Sequence, residues 1–175
     1  MNTIFLMAAA LSAGLMNLAQ AAPAEFRGFC AADEQVVFAC KLPKRKQVSL
    51  CASHDLGAQK GYLQYRFGEA GKPPELTFPA ARVHPRGQFV QGRQLWAANA
   101  MHWYGFDNGG FHYAVGSAGG RDMDVSGVWV IKDGKKRAFL ACQGAPFEGN
   151  DSKLEQALQQ AALEQDTVAV DDFLP

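Results

Sequence analysis

Short runs of alternating apolar and polar residues, separated by turn residues, occupy most of the chain. Three such runs, at 35–42, 47–53 and 61–67, predict an opening meander of three strands. A short fourth strand is expected at 75–78, whereas proline and glycine interrupt the stretch 80–94, which is expected to be a loop. Alternation of period two is typical of antiparallel sheets that bury one face, so the first half of the chain predicts β structure.

The first hairpin can pair in two registers, which treat its cysteines differently. One register pairs Phe38 with Ala52 and Cys40 with Leu50, which puts the apolar residues on one face and Cys51 on the other. The second register sets Cys40 directly across from Cys51 but turns Leu50 against polar neighbours. The pattern of faces favours the first register and proximity favours the second, so the disulfide connectivity stays open.

A second hairpin is predicted at 101–117, where Asn-Gly at 108–109 is the strongest turn signal in the chain. Both residues tolerate the positive φ that a type I′ turn requires. This turn stacks aromatic pairs across the two strands, Phe106 with Phe111 and Tyr104 with Tyr113.

A third hairpin is predicted at 125–142, with its turn at Asp-Gly 133–134. One of its faces is expected to carry Val128, Val130 and Phe139. Between the second and third hairpins, the glycine-rich stretch 118–124 is expected to be an exposed loop.

The C-terminal part changes character from β to helical. Ser152-x-x-Glu155 forms a capping box, and the apolar spacing after it predicts an amphipathic helix to about Gln165. Residues 166–175 are expected to be a tail. The whole pattern predicts an all-β fold, an antiparallel β-sandwich or flattened barrel of about eight strands, with one C-terminal α-helix.

The N-terminal segment predicts export. An apolar run at 4–18 precedes Ala19-Gln20-Ala21, the small-x-small pattern that signal peptidase cleaves. An uncleaved membrane anchor is the alternative, but the run is shorter than the ~20 residues that span a bilayer. We therefore expect a signal peptide at 1–21, a disulfide-stapled β domain at 22–149, and a helix with an acidic tail at 150–175. The mature protein should be periplasmic or secreted, without membrane insertion.

The cysteines agree with an oxidising compartment. All four follow the predicted cleavage site, and none forms the C-x-x-C spacing of a redox or zinc site. We expect structural disulfides among Cys30, Cys40, Cys51 and Cys142.

Charge and motifs exclude several classes of function. The chain of 175 residues has 17 basic and 17 acidic side chains, so nothing favours nucleic acid as a partner. Asp122, Asp124, Ser126, Gly127 and Asp133 match the spacing of a calcium loop, but the β-like residues after them argue against the flanking helices of such a site. Histidines and serines form no recognisable catalytic motif. We predict no catalytic residues, no metal and no cofactor.

Aromatic residues are more numerous than one face of two hairpins needs. Core packing explains most of them, and the remainder is typical of a recognition surface. We predict binding through the 116–124 loop and the aromatics beside it. The candidate binding residues are Tyr104, Phe106, Phe111, Tyr113, Ser117 and Arg121.

Five segments together resemble a family of small secreted bacterial proteins without an assigned activity. They are V-V-F-A-C at 36–40, V-S-L-C-A-S at 48–53, G-Y-L-Q-Y-R-F-G at 61–68, D-N-G-G-F-H-Y at 107–113 and Cys142-Gln-Gly. The resemblance covers most of residues 30–145 and implies no catalytic residue. A looser similarity in size, compartment and β content links the chain to periplasmic lysozyme inhibitors, which present a Ser/Gly loop comparable to 116–120.

Two hypotheses of function follow. The first is a non-catalytic binding or inhibitory protein of the cell envelope whose partner is an envelope protein or a glycan. The alternative is an envelope hydrolase or metal-dependent enzyme without a recognisable motif. An enzyme should bring at least two of the residues His102, His112, Asp122, Asp124 and Asp133 into one cleft, whereas a binder should show a protruding loop on a plain β face.

Overall fold

Two β-sheets packed face to face form the structure, a computed structural model that describes residues 25–121 and 123–168. The predicted signal peptide, Asp122 and residues 169–175 lie outside the described residues. The elements in chain order are β1 (Glu34–Lys41), β2 (Lys46–Ser53), β3 (Leu63–Glu69), β4 (Leu76–Phe78), β5 (Val90–Trp96), β6 (Asn99–Asn108), β7 (Phe111–Gly120), β8 (Asp124–Lys132), β9 (Lys135–Ala141), β10 (Phe147–Glu148), α1 (Ser152–Ala161) and β11 (Glu164–Gln165).

The sheets have simple topologies. One is five-stranded, in the order β10-β1-β2-β3-β4, and the other is six-stranded, in the order β11-β5-β6-β7-β8-β9. Neighbouring strands are antiparallel except for β11, which runs parallel to β5. The predicted all-β sandwich with one C-terminal helix is therefore confirmed.

Strand β5 (Val90–Trp96) begins inside the stretch 80–94 that was expected to be a loop, so that expectation is wrong for residues 90–94. Gly92 interrupts the sequence pattern for a packing reason. A Cβ atom at this position would lie 2.0 Å from the ring of Trp103 on the neighbouring strand. Glycine inside a strand often marks such a close approach.

The first hairpin has the predicted faces in a register shifted by two residues. Phe38 pairs with Leu50 and Cys40 with Val48. A two-residue slip keeps each side chain on its own face, so the predicted inward residues all lie in the main core. They are Phe38, Cys40, Leu42, Val48, Leu50 and Ala52.

The second hairpin turns one residue later than predicted. Gly109 and Gly110, with φ of 60° and 77°, occupy the two central positions of the turn. Phe106 therefore pairs with Tyr113 rather than with Phe111, and their rings stack with centroids 5.1 Å apart. Two consecutive glycines adopt positive φ more readily than Asn-Gly.

The third hairpin turns at Asp133-Gly134 as predicted, but its faces differ beyond a bulge. The register shifts by one residue between Val130 and Ile131. Because a one-residue shift reverses the faces of a strand, Phe139 does not share a face with Val130. It stacks instead on Trp129 on the opposite side of the sheet, with ring centroids 4.7 Å apart.

The predicted loop at 118–124 is largely strand. Ala118 to Gly120 continue β7, and Ala118 is only 2% exposed. Residues 124–132 form β8, so they do not make the turn of a calcium loop. β7 and β8 pair as far as Gly119 and Asp124, so strand pairing extends into both ends of the expected loop.

Both disulfides link separate parts of the sandwich. Cys30 pairs with Cys51, and Cys40 pairs with Cys142. The pattern of faces, which put Cys40 and Cys51 on opposite sides of the sheet, therefore correctly predicted that they do not bond to each other. The bulge in the third hairpin also explains the second bridge, because it brings Cys142 into line with Ser126 on the inward face.

Helix α1 closes one side of the core. Its inward residues Leu154, Leu158 and Ala161 are all buried in the main cluster. The helix begins one residue earlier than the predicted capping box implies, because Asp151 is the N-cap and accepts a hydrogen bond from the Lys153 amide. It ends at Ala161, well before Gln165, because Ala162 adopts a left-handed conformation.

Among the described residues, no helix has the length and apolar character needed to cross a membrane.

Candidate functional site

The inward face of the six-stranded sheet changes from apolar to polar along its strands. Cross-strand pairing aligns four residues, which we call the polar row: Arg93, His102, Ser117 and Ser126. One step deeper, the aligned residues include Val115 and Val128, which are fully buried in the main core. The polar row therefore marks the edge of the hydrophobic core.

A cleft of about 990 Å³ opens over the polar row. Its floor is the sheet, and the opposite wall is formed by residues 146–150 and helix α1. The wall residues include Glu148, Glu155 and Gln159. Long-range strand pairing positions the wall, because the two-residue strand β10 pairs with Phe38 and Ala39 of β1 and so holds Glu148 opposite the six-stranded sheet.

One hydrogen bond crosses the cleft between its two walls. The hydroxyl of Ser117 donates to Oε1 of Glu148. The carboxylate has no ion-pair partner within residues 25–121 and 123–168. Glu148 thus brings a negative charge to the middle of the cleft with only a hydroxyl to satisfy it.

His102 lies directly across from Ser117 on the neighbouring strand. Burial lowers the pKa of His102, against the effect of the Glu148 charge, and Arg93 lowers it further. The imidazole is therefore neutral near pH 7 and can both donate and accept a hydrogen bond. Its ring packs edge-on against Tyr104, with centroids 5.6 Å apart, and forms no hydrogen bond with another described residue.

Tyr104 lies at the inner end of the cleft. Its side chain is 9% exposed, and its hydroxyl forms no hydrogen bond within the described parts of the chain. Burial raises the pKa of Tyr104 to about 12, and the charges of Glu148 and Glu155 add to the effect. A hydroxyl that lines an open cleft and has no partner among the described residues is available to a ligand.

The structure separates the six predicted binding residues. Tyr104 and Ser117 line the cleft. Phe106 is 2% exposed, and the half-buried Tyr113 stacks on it and packs against the core, so neither ring lines the cleft. Phe111 lies beside the second turn, where the Lys132 ammonium stands 4.8 Å from its ring centre. Arg121 is exposed beyond the end of β7.

The sequence did not reveal the partners of the two cleft residues. Glu148 is 31 residues from Ser117 along the chain, and Glu155 belongs to the helix. Arg93 was assigned to a loop. Their convergence depends on strand order and register, which no local motif encodes.

A different cluster lies on the outer face of the six-stranded sheet. Asp166 accepts hydrogen bonds from Trp103 at 2.7 Å and from the backbone amide of Val168 at 3.0 Å, and its carboxylate lies 3.1 Å from the ring of His112. Burial opposes the charge on His112, but Asp166 and Asp107 outweigh it and raise the pKa of His112. His102 and His112 therefore occupy opposite faces, as the two-residue turn predicts. Asp166 was expected to begin a tail, but its side chain is buried and bonds to Trp103 and His112 on the sheet.

A second cavity, of about 1100 Å³, lies beside this cluster. The polar groups at its base, His112 and Asp166, are already bonded to each other. The central pair of this cavity is therefore already satisfied, whereas His102 and Tyr104 in the cleft over the polar row have no hydrogen-bond partner among the described residues.

A buried ion pair fills the outer face of the five-stranded sheet. Glu34 receives two hydrogen bonds of 2.6 Å from the Arg66 guanidinium and one of 2.7 Å from the Tyr62 hydroxyl. Cys30 and Cys51 lie close to this carboxylate, but their sulfurs are joined in a disulfide. A disulfide and an arginine-paired carboxylate are not suited to hold a metal ion.

No protein-family model, curated protein or solved structure matches this chain. The cleft geometry therefore carries the functional argument.

Proposed function

We propose that this protein is a non-catalytic binding or inhibitory protein that acts outside the cytoplasm and holds its ligand in the cleft over the polar row. Its two disulfides indicate an oxidising, extracytoplasmic environment. Within that environment we place it in the periplasm or among secreted proteins. The partner we expect is a component of the cell envelope.

One observation carries this proposal: polar side chains without partners converge in one cleft. The Tyr104 hydroxyl and the ring nitrogens of His102 form no hydrogen bond to another described residue. The side chains of Ser117 and Glu148 lie in the same cleft, and among the described residues they form a side-chain hydrogen bond only with each other. A large concave site with a few convergent polar groups is the usual form of a binding site.

The proposal moves the predicted binding surface. The strand β7 takes the place of the expected protruding loop, so recognition shifts from a convex tip to a concave wall. Ser117 stays in the site, and Tyr104 joins it from the neighbouring strand. The aromatic surplus of the second hairpin mostly serves the core.

A substitution that fills the cleft tests the proposal. Gly119 lines the cleft, and a Cβ atom placed on it meets no atom within 4 Å. Its backbone needs no positive φ, so Gly119→Trp should fold normally while blocking the site. Ala81→Trp, on the exposed surface away from the cleft, is the matched control.

The readout is the amount of envelope protein and glycan retained by each immobilised variant. We expect wild type and Ala81→Trp to retain the same components and Gly119→Trp to lose them, with thermal unfolding unchanged in all three. Equal retention by wild type and Gly119→Trp would show that binding, if any, occurs elsewhere. Absence of retention by the folded wild-type protein would refute the proposed function.

A hydrolase is the second candidate, because the cleft brings together two of the residues expected of an enzyme, His102 and Asp124, and strand takes the place of most of the protruding loop expected of a binder. Against it, Ser117 donates to Glu148 and forms no hydrogen bond with His102 in the structure. A serine nucleophile needs a base that a third group orients, and no third described side chain hydrogen-bonds to Glu148, the carboxylate that accepts from Ser117. Turnover of an ester, peptide or glycan substrate that Ser117→Ala abolishes would favour the hydrolase over the binding protein.

A further inference from the structure

The charged groups of the cleft are unbalanced, although the chain as a whole is neutral. Three carboxylates line the cleft, those of Asp124, Glu148 and Glu155, against the single guanidinium of Arg93. No lysine lines it, and His102 adds no positive charge near neutral pH. In the described part of the chain, none of the three carboxylates forms an ion pair.

Tyr104 supplies a second, independent feature at the same place. It is nine-tenths buried, it faces the cleft, and its hydroxyl lacks a partner among described residues. Burial raises the pKa of this hydroxyl, and the charges of Glu148 and Glu155 raise it further. The negative potential of these two carboxylates favours a positive charge on a ligand at the same point.

We propose that the cleft binds a cationic group, a protonated amine or a guanidinium, between Glu148, Glu155 and Tyr104. This inference rests on the proposed function and names its ligand class. The two carboxylates supply the charge. The tyrosine oxygen accepts a hydrogen bond, and its ring offers a π face to the cation. The neutral His102 accepts a further bond without repelling the ligand.

Such a group can come from a lysine or arginine side chain of a peptide or from an amino sugar. Matched pairs of probes distinguish the two sources. Gly-Lys-Gly and Gly-Arg-Gly with blocked ends are compared with blocked Gly-Gln-Gly, which lacks the charge. Glucosamine is compared with N-acetylglucosamine, in which the amine is neutral. Binding is followed by the NMR signals of the His102 and Tyr104 rings.

We expect a charged probe to shift both ring signals saturably and its neutral match to bind at least about tenfold more weakly. Glu148→Gln combined with Glu155→Gln should weaken binding about tenfold, and raising the salt concentration should weaken binding to the wild type. Glu69→Gln, on the other sheet, is the control and should change nothing. The salt series uses only the wild-type protein, so it tests the role of charge in binding even if the double variant folds poorly.

Several results would overturn the inference. A neutral probe that binds as tightly as its charged match removes the role of charge, as does binding that is insensitive to salt. If no charged probe binds while Gly119→Trp still abolishes retention of an envelope component, the cation assignment fails and the proposed function stands. If retention is also absent, both fail.

Discussion

Changing Glu34 to glutamine should lower the free energy of unfolding by about 3 kcal/mol at neutral pH, because it leaves a buried guanidinium without its counter-charge. The Glu34 side chain is 0% exposed and that of Arg66 is 9% exposed. Their two parallel hydrogen bonds, each of 2.6 Å, give the bidentate geometry in which an arginine and a carboxylate interact most strongly. Glutamine has nearly the same shape, so the change removes charge with little change in packing.

The pKa of Glu34 gives the same magnitude independently. Burial alone would raise this pKa, but hydrogen bonds from Arg66, Tyr62 and the Ala31 amide lower it from 4.5 to about 2. At about 1.4 kcal/mol for each pH unit, the difference amounts to roughly 3 kcal/mol. A lowered carboxylate pKa contributes stability that is complete above about pH 4.5 and disappears as the pH falls towards 2.

Urea unfolding of wild type and Glu34→Gln between about pH 7 and pH 2.5 tests the reasoning. The stability difference should be constant from pH 7 to about pH 5 and should shrink to a small fraction near pH 2.5. Other carboxylates titrate in both proteins, so they cancel in the difference. Glu69→Gln, which breaks an exposed pair with Lys72, should leave stability unchanged within error. A difference that stays constant down to pH 2.5 would refute the role of the charge.

Two further predictions concern stability. Replacing Cys40 and Cys142 with alanine should lower the free energy of unfolding by about 4 kcal/mol, because this bridge closes a loop of 102 residues. The midpoint of urea unfolding measures it, and a smaller loss than on removal of the other bridge, whose loop spans 21 residues, would contradict the loop-length argument. His112→Gln should cost more stability at pH 5.5 than at pH 9, because a raised histidine pKa contributes stability below about 6.5 that is lost as the pH rises. A pH-independent cost would show that the pairing of His112 with Asp166 adds no charge effect.

The sequence predicts the inward faces better than it predicts which residues pair. Alternation of period two identified six of the seven residues that the first hairpin contributes to the main core, missing only Val37, although the register was wrong by two residues. The reason is that a shift of two residues leaves every face unchanged. In the second hairpin, the choice between Asn108-Gly109 and Gly109-Gly110 also shifts the register by two. Local turn preferences differ too little between these dipeptides to decide the position.

A one-residue bulge is where sequence reasoning fails on the face itself. The register shift between Val130 and Ile131 moves Phe139 to the outer face and Cys142 to the inner one. Lysine and arginine residues surround the bulge, and nothing in their order marks an extra residue. The shifted register lets Cys142 form its disulfide with Cys40, and this pairing is known only from the structure.

The polar row itself explains why the cleft indicates a function rather than a packing defect. Ser117 and His102 point towards the same side of the sheet as Val115, at positions where a closed sandwich would carry apolar residues. A closed sandwich would desolvate such groups at a cost in free energy. The open cleft instead leaves Arg93 exposed and the rest of the polar row half-buried, opposite an acidic wall. Sheet stability alone provides no reason for that arrangement, whereas a polar, positively charged ligand does.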